Sequence, residues 1–173
     1  MRRLVFMLAA GLLAGGAVLT GGIASAGTTA VRQASCTESG ALPVYVTQNS
    51  VSYYLGVPKN LSPGAAAILK PTPNSTTMWT FCELGTSSTY VISSQNQGLA
   101  LTSRSSSSGA DVTVEPAGNG GTGFASQQWE TGGGPGNTFR NVKTGLWLRV
   151  RNSGPVMGQT VTTGDLATHW TIP

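Results

Sequence analysis

Gln127-Gln128-Trp129 closes a unit that opens with Gly98-Leu99-Ala100-Leu101-Thr102, and looser versions of that unit lie on both sides of it. Downstream, Gly145-Leu146-Trp147-Leu148-Arg149-Val150 leads to Val161-Thr162-Thr163 and a second terminal Trp at position 170; upstream, Trp79 ends a weaker copy. The spacings are 50 residues (79 to 129) and 41 residues (129 to 170). Self-similarity at that period marks a repeat architecture, in which a unit too small to bury its own apolar face packs it against its neighbours.

The local pattern within each unit is β. Leu99 and Leu101, Val112 and Val114, and Leu146, Leu148 and Val150 alternate with residues of the opposite face, and no stretch beyond the N-terminal segment sustains a 3.6-residue apolar period. Ser105 to Gly109, Gly118 to Gly123 and Gly132 to Asn137 read as hairpin connections. Three repeats, about 36–79, 88–129 and 138–173, each with four short strands, predict a β-trefoil around a pseudo-threefold axis. In the first repeat the strands are expected near 44–46, 51–57 and 65–69. An immunoglobulin-like sandwich is the alternative, because Trp79 lies between two cysteines; the threefold recurrence of a strand-ending Trp favours the trefoil.

Residues 1–26 read as a secretory signal. Arg2 and Arg3 precede an apolar run from Leu4 to about Ile23, and Ala24-Ser25-Ala26 supplies the small-residue cleavage pattern. The single domain is then 27–173, secreted and extracellular. Once Arg2 and Arg3 leave with the signal, the 10 Lys/Arg become 8 against 6 Asp/Glu, a net charge of +2. No basic run with interleaved aromatics remains to track a phosphate backbone, which argues against nucleic acid as a partner, and no membrane insertion is expected of the mature chain. Cys36 and Cys82, carried into an oxidising compartment, are expected to form one disulfide, stabilising by roughly 4 kcal/mol on the chain-entropy relation. Asn60-Leu61-Ser62 and Asn74-Ser75-Thr76 match the glycosylation pattern and mark exposed segments.

Repeats two and three resemble the ricin B-type lectins, a β-trefoil family whose repeats end in Q-x-W and whose members usually bind sugars. The likeness covers about 88–173 well and 36–87 poorly. Repeat two carries a start strand, an Asn, G-x-x-L, G-A-x-V and Q-x-W in the family order; repeat three retains Asn141, Gly145, Leu148 and Trp170. The resemblance implies that the Trp of the motif caps the barrel rather than stacking on sugar. It also implies a sugar-binding Asp after the Leu of G-x-x-L, where this chain has Thr102 and Arg149. The family's stacking aromatic falls on Glu115, Gly164 and about Lys70, and the family's in-repeat disulfide falls on Ala100 with Ala117 and on Trp147 with about Leu166. Gln127 keeps its family identity. The usual galactose-type site is therefore altered in all three repeats.

Alternation on the strand around 146–151 sends Leu146, Leu148 and Val150 inward and places Trp147, Arg149 and Arg151 together on its outer face. Such a cluster would stack on a sugar ring and grip an anionic group, or would form a cation–π pair that binds nothing. The ligand-binding candidates are thus Trp147, Arg149, Arg151, Thr102 and Gln127. His169 is the one histidine, no nucleophile elbow accompanies it, and the carboxylates are scattered singly, so neither catalysis, a cofactor nor a metal is expected. The function expected is non-catalytic carbohydrate recognition by a monomer, with an extracellular glycan or a secreted or cell-surface protein as partner. The alternatives are a protein-interaction trefoil such as a protease inhibitor, presenting Lys59 or Lys70, or a structural trefoil without ligand.

Overall fold

The computed structural model describes residues 37–85, 88–95, 98–132, 136–151, 155 and 157–173. The signal segment 1–26 and Cys36 lie outside them. In chain order the strands are β1 (Thr37–Glu38), β2 (Leu42–Pro43), β3 (Tyr45–Gln48), β4 (Val51–Gly56), β5 (Ile68–Lys70), β6 (Met78–Glu83), β7 (Thr89–Ser94), β8 (Leu99–Thr102), β9 (Thr113–Pro116), β10 (Gln128–Gly132), β11 (Thr138–Asn141), β12 (Trp147–Val150) and β13 (Val161–Gly164). All pair antiparallel: β3 with β4 and β4 with β5, β6 with β7, β7 with β8 and β10, β8 with β9, and β10 through β13 in succession.

The threefold order is written in backbone hydrogen bonds between the repeats. The N–H of Ala67 donates to the Val112 carbonyl (2.8 Å), that of Val112 to Val161 (2.9 Å), and that of Val161 back to Ala67 (2.8 Å). A second ring runs from Gly64 to Val114, Gly109 to Thr163 and Gly158 to Leu69 (2.8, 2.7 and 2.8 Å). The bridges Ala66 with Thr113, Asp111 with Thr162 and Thr160 with Ile68 complete the same cycle. Gly64, Gly109 and Gly158 all hold positive φ (88°, 88° and 77°), a conformation that L side chains rarely adopt. An immunoglobulin-like sandwich pairs its strands within two separate sheets and forms no such closed triplet, so the chain is a β-trefoil.

Each repeat is capped by its Trp. Trp79, Trp129 and Trp170 are fully buried, and their indole N–H groups donate to the carbonyls of Leu55 (2.9 Å), Leu101 (2.9 Å) and Leu148 (3.4 Å). The same bond therefore recurs in all three units and satisfies the one polar atom of a large apolar side chain. Burying each indole contributes at most about 5 kcal/mol of transfer free energy. The caps close a core that includes Val44, Leu55, Leu69, Ile92, Leu101, Val114, Phe139 and Leu148. Thr171 pairs back onto Tyr45 through two bonds of 3.0 and 2.7 Å, joining the third repeat to the first.

Two local features depart from the sequence expectation. β1 and β2, which no alternation signalled, pair with β6 at the start of the first repeat. Leu146 precedes β12 and is half-buried, so the inward face of that strand is Leu148 and Val150 alone. Cys82 is buried in a small cluster with Val91 and Ala100, against which Leu84 and Ala117 pack. Ala100 and Ala117 thus belong to one apolar cluster where the resemblance puts a disulfide. Cys82 is not a free thiol; its expected partner, Cys36, lies outside the described residues.

Candidate functional site

The equivalences fixed by the Trp bonds and the backbone rings place Gly56, Thr102 and Arg149 at one position, and Lys70, Glu115 and Gly164 at a second position on the adjacent strand. A surface cleft lies beside this pair in each repeat, and the three clefts have different chemistry.

The repeat-two cleft, about 490 Å³, is lined by Thr102, Arg104, Glu115, Pro116, Phe124, Ser126, Gln127 and Lys143. One wall is built by Gln127, which ends a 3-10 turn over Ala125–Gln127. Its side-chain carbonyl accepts from the backbone N–H of Gly118 (3.0 Å) and Phe124 (3.1 Å), and its amide donates to the Pro116 carbonyl (2.9 Å) and to Thr102 Oγ1 (3.3 Å). Thr102 in turn donates to the Ala100 carbonyl (2.9 Å). Both residues are almost completely buried, with their polar atoms engaged in the fold. They shape the cleft, and their hydrogen bonds point into its wall.

The groups that face the cleft are others. Phe124 follows Gly123 and stays 54% exposed, although one face of its ring lies against Gly118, where any Cβ would collide with it. Gly118 thus braces the ring, and just over half of Phe124 stays open to solvent. Glu115 is buried to 8% exposure; its Oε1 accepts from Arg104 Nη2 (2.8 Å) and Thr113 Oγ1 (3.3 Å). Oε2 takes no hydrogen bond from the described residues. The Arg104 side chain is 70% exposed, so this pair contributes at most about 1 kcal/mol to stability. Its effect is to orient the carboxylate. Lys143 and the Ser126 hydroxyl complete the rim, and the Lys143 N–H bonds the Ala125 carbonyl at 3.2 Å.

In repeat one the corresponding cleft, about 310 Å³, is lined by Lys59, Lys70, Asn74, Ser75 and Thr76. The Lys70 stem crosses Gly56, and its ammonium donates to Thr76 Oγ1 at 2.6 Å; burial holds its pKa below the ordinary lysine value. In repeat three, Arg149 lines a cavity of about 410 Å³ with residues of β3, Val150, Pro155 and the 166–168 segment.

The outer-face trio predicted on β12 does not act as one cluster. Trp147 is half-buried and has the Arg140 guanidinium 5.9 Å from its ring centroid; Arg140 reaches it as its cross-strand partner on β11 and is fixed by a 3.0 Å bond to the Gly145 carbonyl. Arg151 is drawn the other way, into a 2.6 Å ion pair with Asp111, whose same oxygen accepts from Thr160 Oγ1. Arg149 alone is left facing a cavity. Phe124, Glu115 and Arg104 were not among the sequence candidates. Glu115 was located at its strand position but read as the loss of an aromatic, and Phe124 sits in a Gly-rich loop with no periodicity to single it out. Among the described residues, no group of three or more His, Cys, Asp or Glu gathers.

No protein-family model matches the chain, and no curated protein matches it in sequence. Its fold is similar to that of several solved structures. A designed threefold-symmetric protein, ThreeFoil, superposes with a TM-score of 0.68 at 22% identity over 78% of this chain and 98% of that one. The Polyporus squamosus lectin, bound to a human-type influenza-binding epitope, gives a TM-score of 0.59 at 17% identity over 77% of this chain. The agglutinin from Abrus precatorius gives 0.59 at 20% identity over 80% of this chain. The chain spans about half the length of each of these two, 48% and 49%. At these identities the likeness establishes the shared β-trefoil fold.

Proposed function

We propose that the chain is a secreted, non-catalytic carbohydrate-binding module of the ricin B-type kind, and that it binds through the repeat-two cleft with a changed set of residues. The observation that carries this reading is the pairing, in one cleft, of an exposed Phe124 braced on Gly118 with a Glu115 carboxylate that Arg104 orients through one oxygen, the other oxygen taking no hydrogen bond from the described residues. The negative face of an aromatic ring attracts the polarised C–H groups on one side of a pyranose. A carboxylate with a free oxygen accepts hydrogen bonds from ring hydroxyls, and Arg104 and Lys143 supply donors to the same sugar. The acceptor that the resemblance puts at Thr102 is thus moved to the neighbouring strand, and the stacking ring is moved to the loop before Gln127.

Secretion by cleavage after residue 26, a Cys36–Cys82 disulfide, an extracellular glycan as partner and a monomeric state belong to the same proposal. A single shallow site of this kind is expected to hold a monosaccharide with a Kd on the order of 1 mM. Glycan-array binding of the mature chain, compared with Phe124→Ala and Glu115→Gln, tests the reading. Binding that both substitutions abolish supports it, and binding that survives both excludes this cleft.

A further inference from the structure

Arg149 occupies the place in repeat three that Thr102 occupies in repeat two, and its surroundings reverse the chemistry of that cleft. Its stem lies across Gly164, where an added Cβ would come within 2.5 Å of Cδ and 2.9 Å of Nη1, so the glycine makes the space for it. The Nε–H donates to the Val150 carbonyl at 3.3 Å, which fixes the plane of the guanidinium. Among the described residues the ion pairs are Arg104 with Glu115 and Arg151 with Asp111; Arg149 enters neither. A half-buried guanidinium with no carboxylate partner therefore borders a cavity of about 410 Å³.

The rest of that cavity is mixed, with Thr47, Gln48 and Thr168 among apolar residues. Val46, Pro155, Leu166 and Ala167 form much of its wall, and Leu166 is 72% exposed, the most exposed of the large apolar side chains described. Thr168 adds a hydroxyl whose oxygen accepts the Val150 N–H at 3.0 Å, leaving its own hydrogen to donate. An unpaired cation beside an exposed apolar wall lacks two things, an anion and a covering for the leucine, and one ligand can supply both.

We propose that the repeat-three cavity binds a small organic carboxylate that carries an apolar substituent. The carboxylate pairs with the Nη groups of Arg149 and takes the Thr168 hydroxyl hydrogen, and the substituent lies on Leu166 and Val46. The volume falls within the range of small-ligand sites. This site is separate from the repeat-two cleft, and neither depends on the other.

The test is isothermal titration of the mature chain at pH 7 and low ionic strength with three probes: hexanoate, hexanamide and acetate. Hexanoate should bind saturably, and hexanamide and acetate should each bind at least ten-fold more weakly, because one lacks the charge and the other the apolar part. Arg149→Gln should weaken hexanoate at least ten-fold. Leu166→Ser, which replaces a side chain already mostly in solvent and spares the fold, should weaken it several-fold. Phe124→Ala should leave hexanoate binding unchanged, which separates this site from the saccharide cleft. Absence of saturable hexanoate binding, equal binding of hexanamide, or an unchanged affinity in Arg149→Gln or Leu166→Ser would overturn the proposal.

Discussion

The indole N–H of Trp129 donates to the main-chain carbonyl of Leu101, 28 residues earlier, at 2.9 Å, and so ties the last strand of repeat two to its own G-x-x-L strand. Trp129→Phe removes the donor and shrinks a fully buried side chain. The expected loss is about 2–4 kcal/mol, from the cavity and from the buried carbonyl left short of a partner. Urea unfolding measures it, and a loss below about 1 kcal/mol would mean that the cap contributes little.

Gly109 donates its N–H to the Thr163 carbonyl at 2.7 Å with φ at 88°, and a Cβ there would meet nothing within 4 Å. Its cost on substitution is therefore conformational. Gly109→Ala should destabilise by about 1–2 kcal/mol. Gly40, which has equal space and no positive φ, should accept Ala with little change or a small gain. Thermal unfolding of the two variants side by side decides it, and equal melting temperatures would contradict the backbone argument.

In the repeat-two cleft, Phe124→Ala should weaken saccharide binding about ten-fold or more, equivalent to a loss of at least about 1.4 kcal/mol. The melting temperature should fall by no more than several degrees, because just over half of Phe124 is already in solvent. Glu115→Gln keeps the shape and removes the charge, so it should weaken binding by a comparable factor. A variant that loses binding only in proportion to lost folded protein would point to a purely structural role for Phe124.

The Tyr90 phenol has its pKa raised above 10.0, first by burial and then by the Glu83 carboxylate, which repels the phenolate and hydrogen-bonds the neutral form. Because the folded-state value lies above the unfolded one, the stability it contributes is fully present below pH 10.0. It is lost as pH rises through the folded-state value. Alkaline titration by ultraviolet absorbance should show a late-ionising tyrosine that Tyr90→Phe removes. An unchanged titration curve in that variant would assign the shift elsewhere.

The architecture was legible in the sequence where local chemistry carries it. Trp129 and Trp170 each stand at the end of a unit with a leucine strand upstream, and it is the carbonyl of that strand which the indole N–H bonds. Repeat one was harder to read, because Thr77 stands where repeat two has Gln127, and its central turn reads Gly64-Ala65-Ala66-Ala67, with no valine to mark the strand. The site was less legible still. Alternation along a single strand correctly set Trp147 and Arg149 opposite Leu148 and Val150. It carries no information about the residue across the ladder, and Arg140 therefore claims Trp147 unseen. Asp111 draws Arg151 away in the same manner, from a different repeat. Phe124 becomes notable only once Gly118 is seen beneath its ring.

The central claim is that a saccharide binds between Phe124 and Glu115. It is tested most directly by mapping amide chemical shifts of the labelled mature chain during titration with neutral monosaccharides, among them galactose, glucose, mannose and N-acetylglucosamine. At least one sugar should produce saturable shifts at Glu115, Phe124 and Ser126, with the Lys70 to Thr76 segment unmoved and the shifts abolished in Phe124→Ala. Saturable shifts confined to another part of the surface, or none with any of the sugars at tens of millimolar, well above the order of 1 mM expected for such a site, would contradict it.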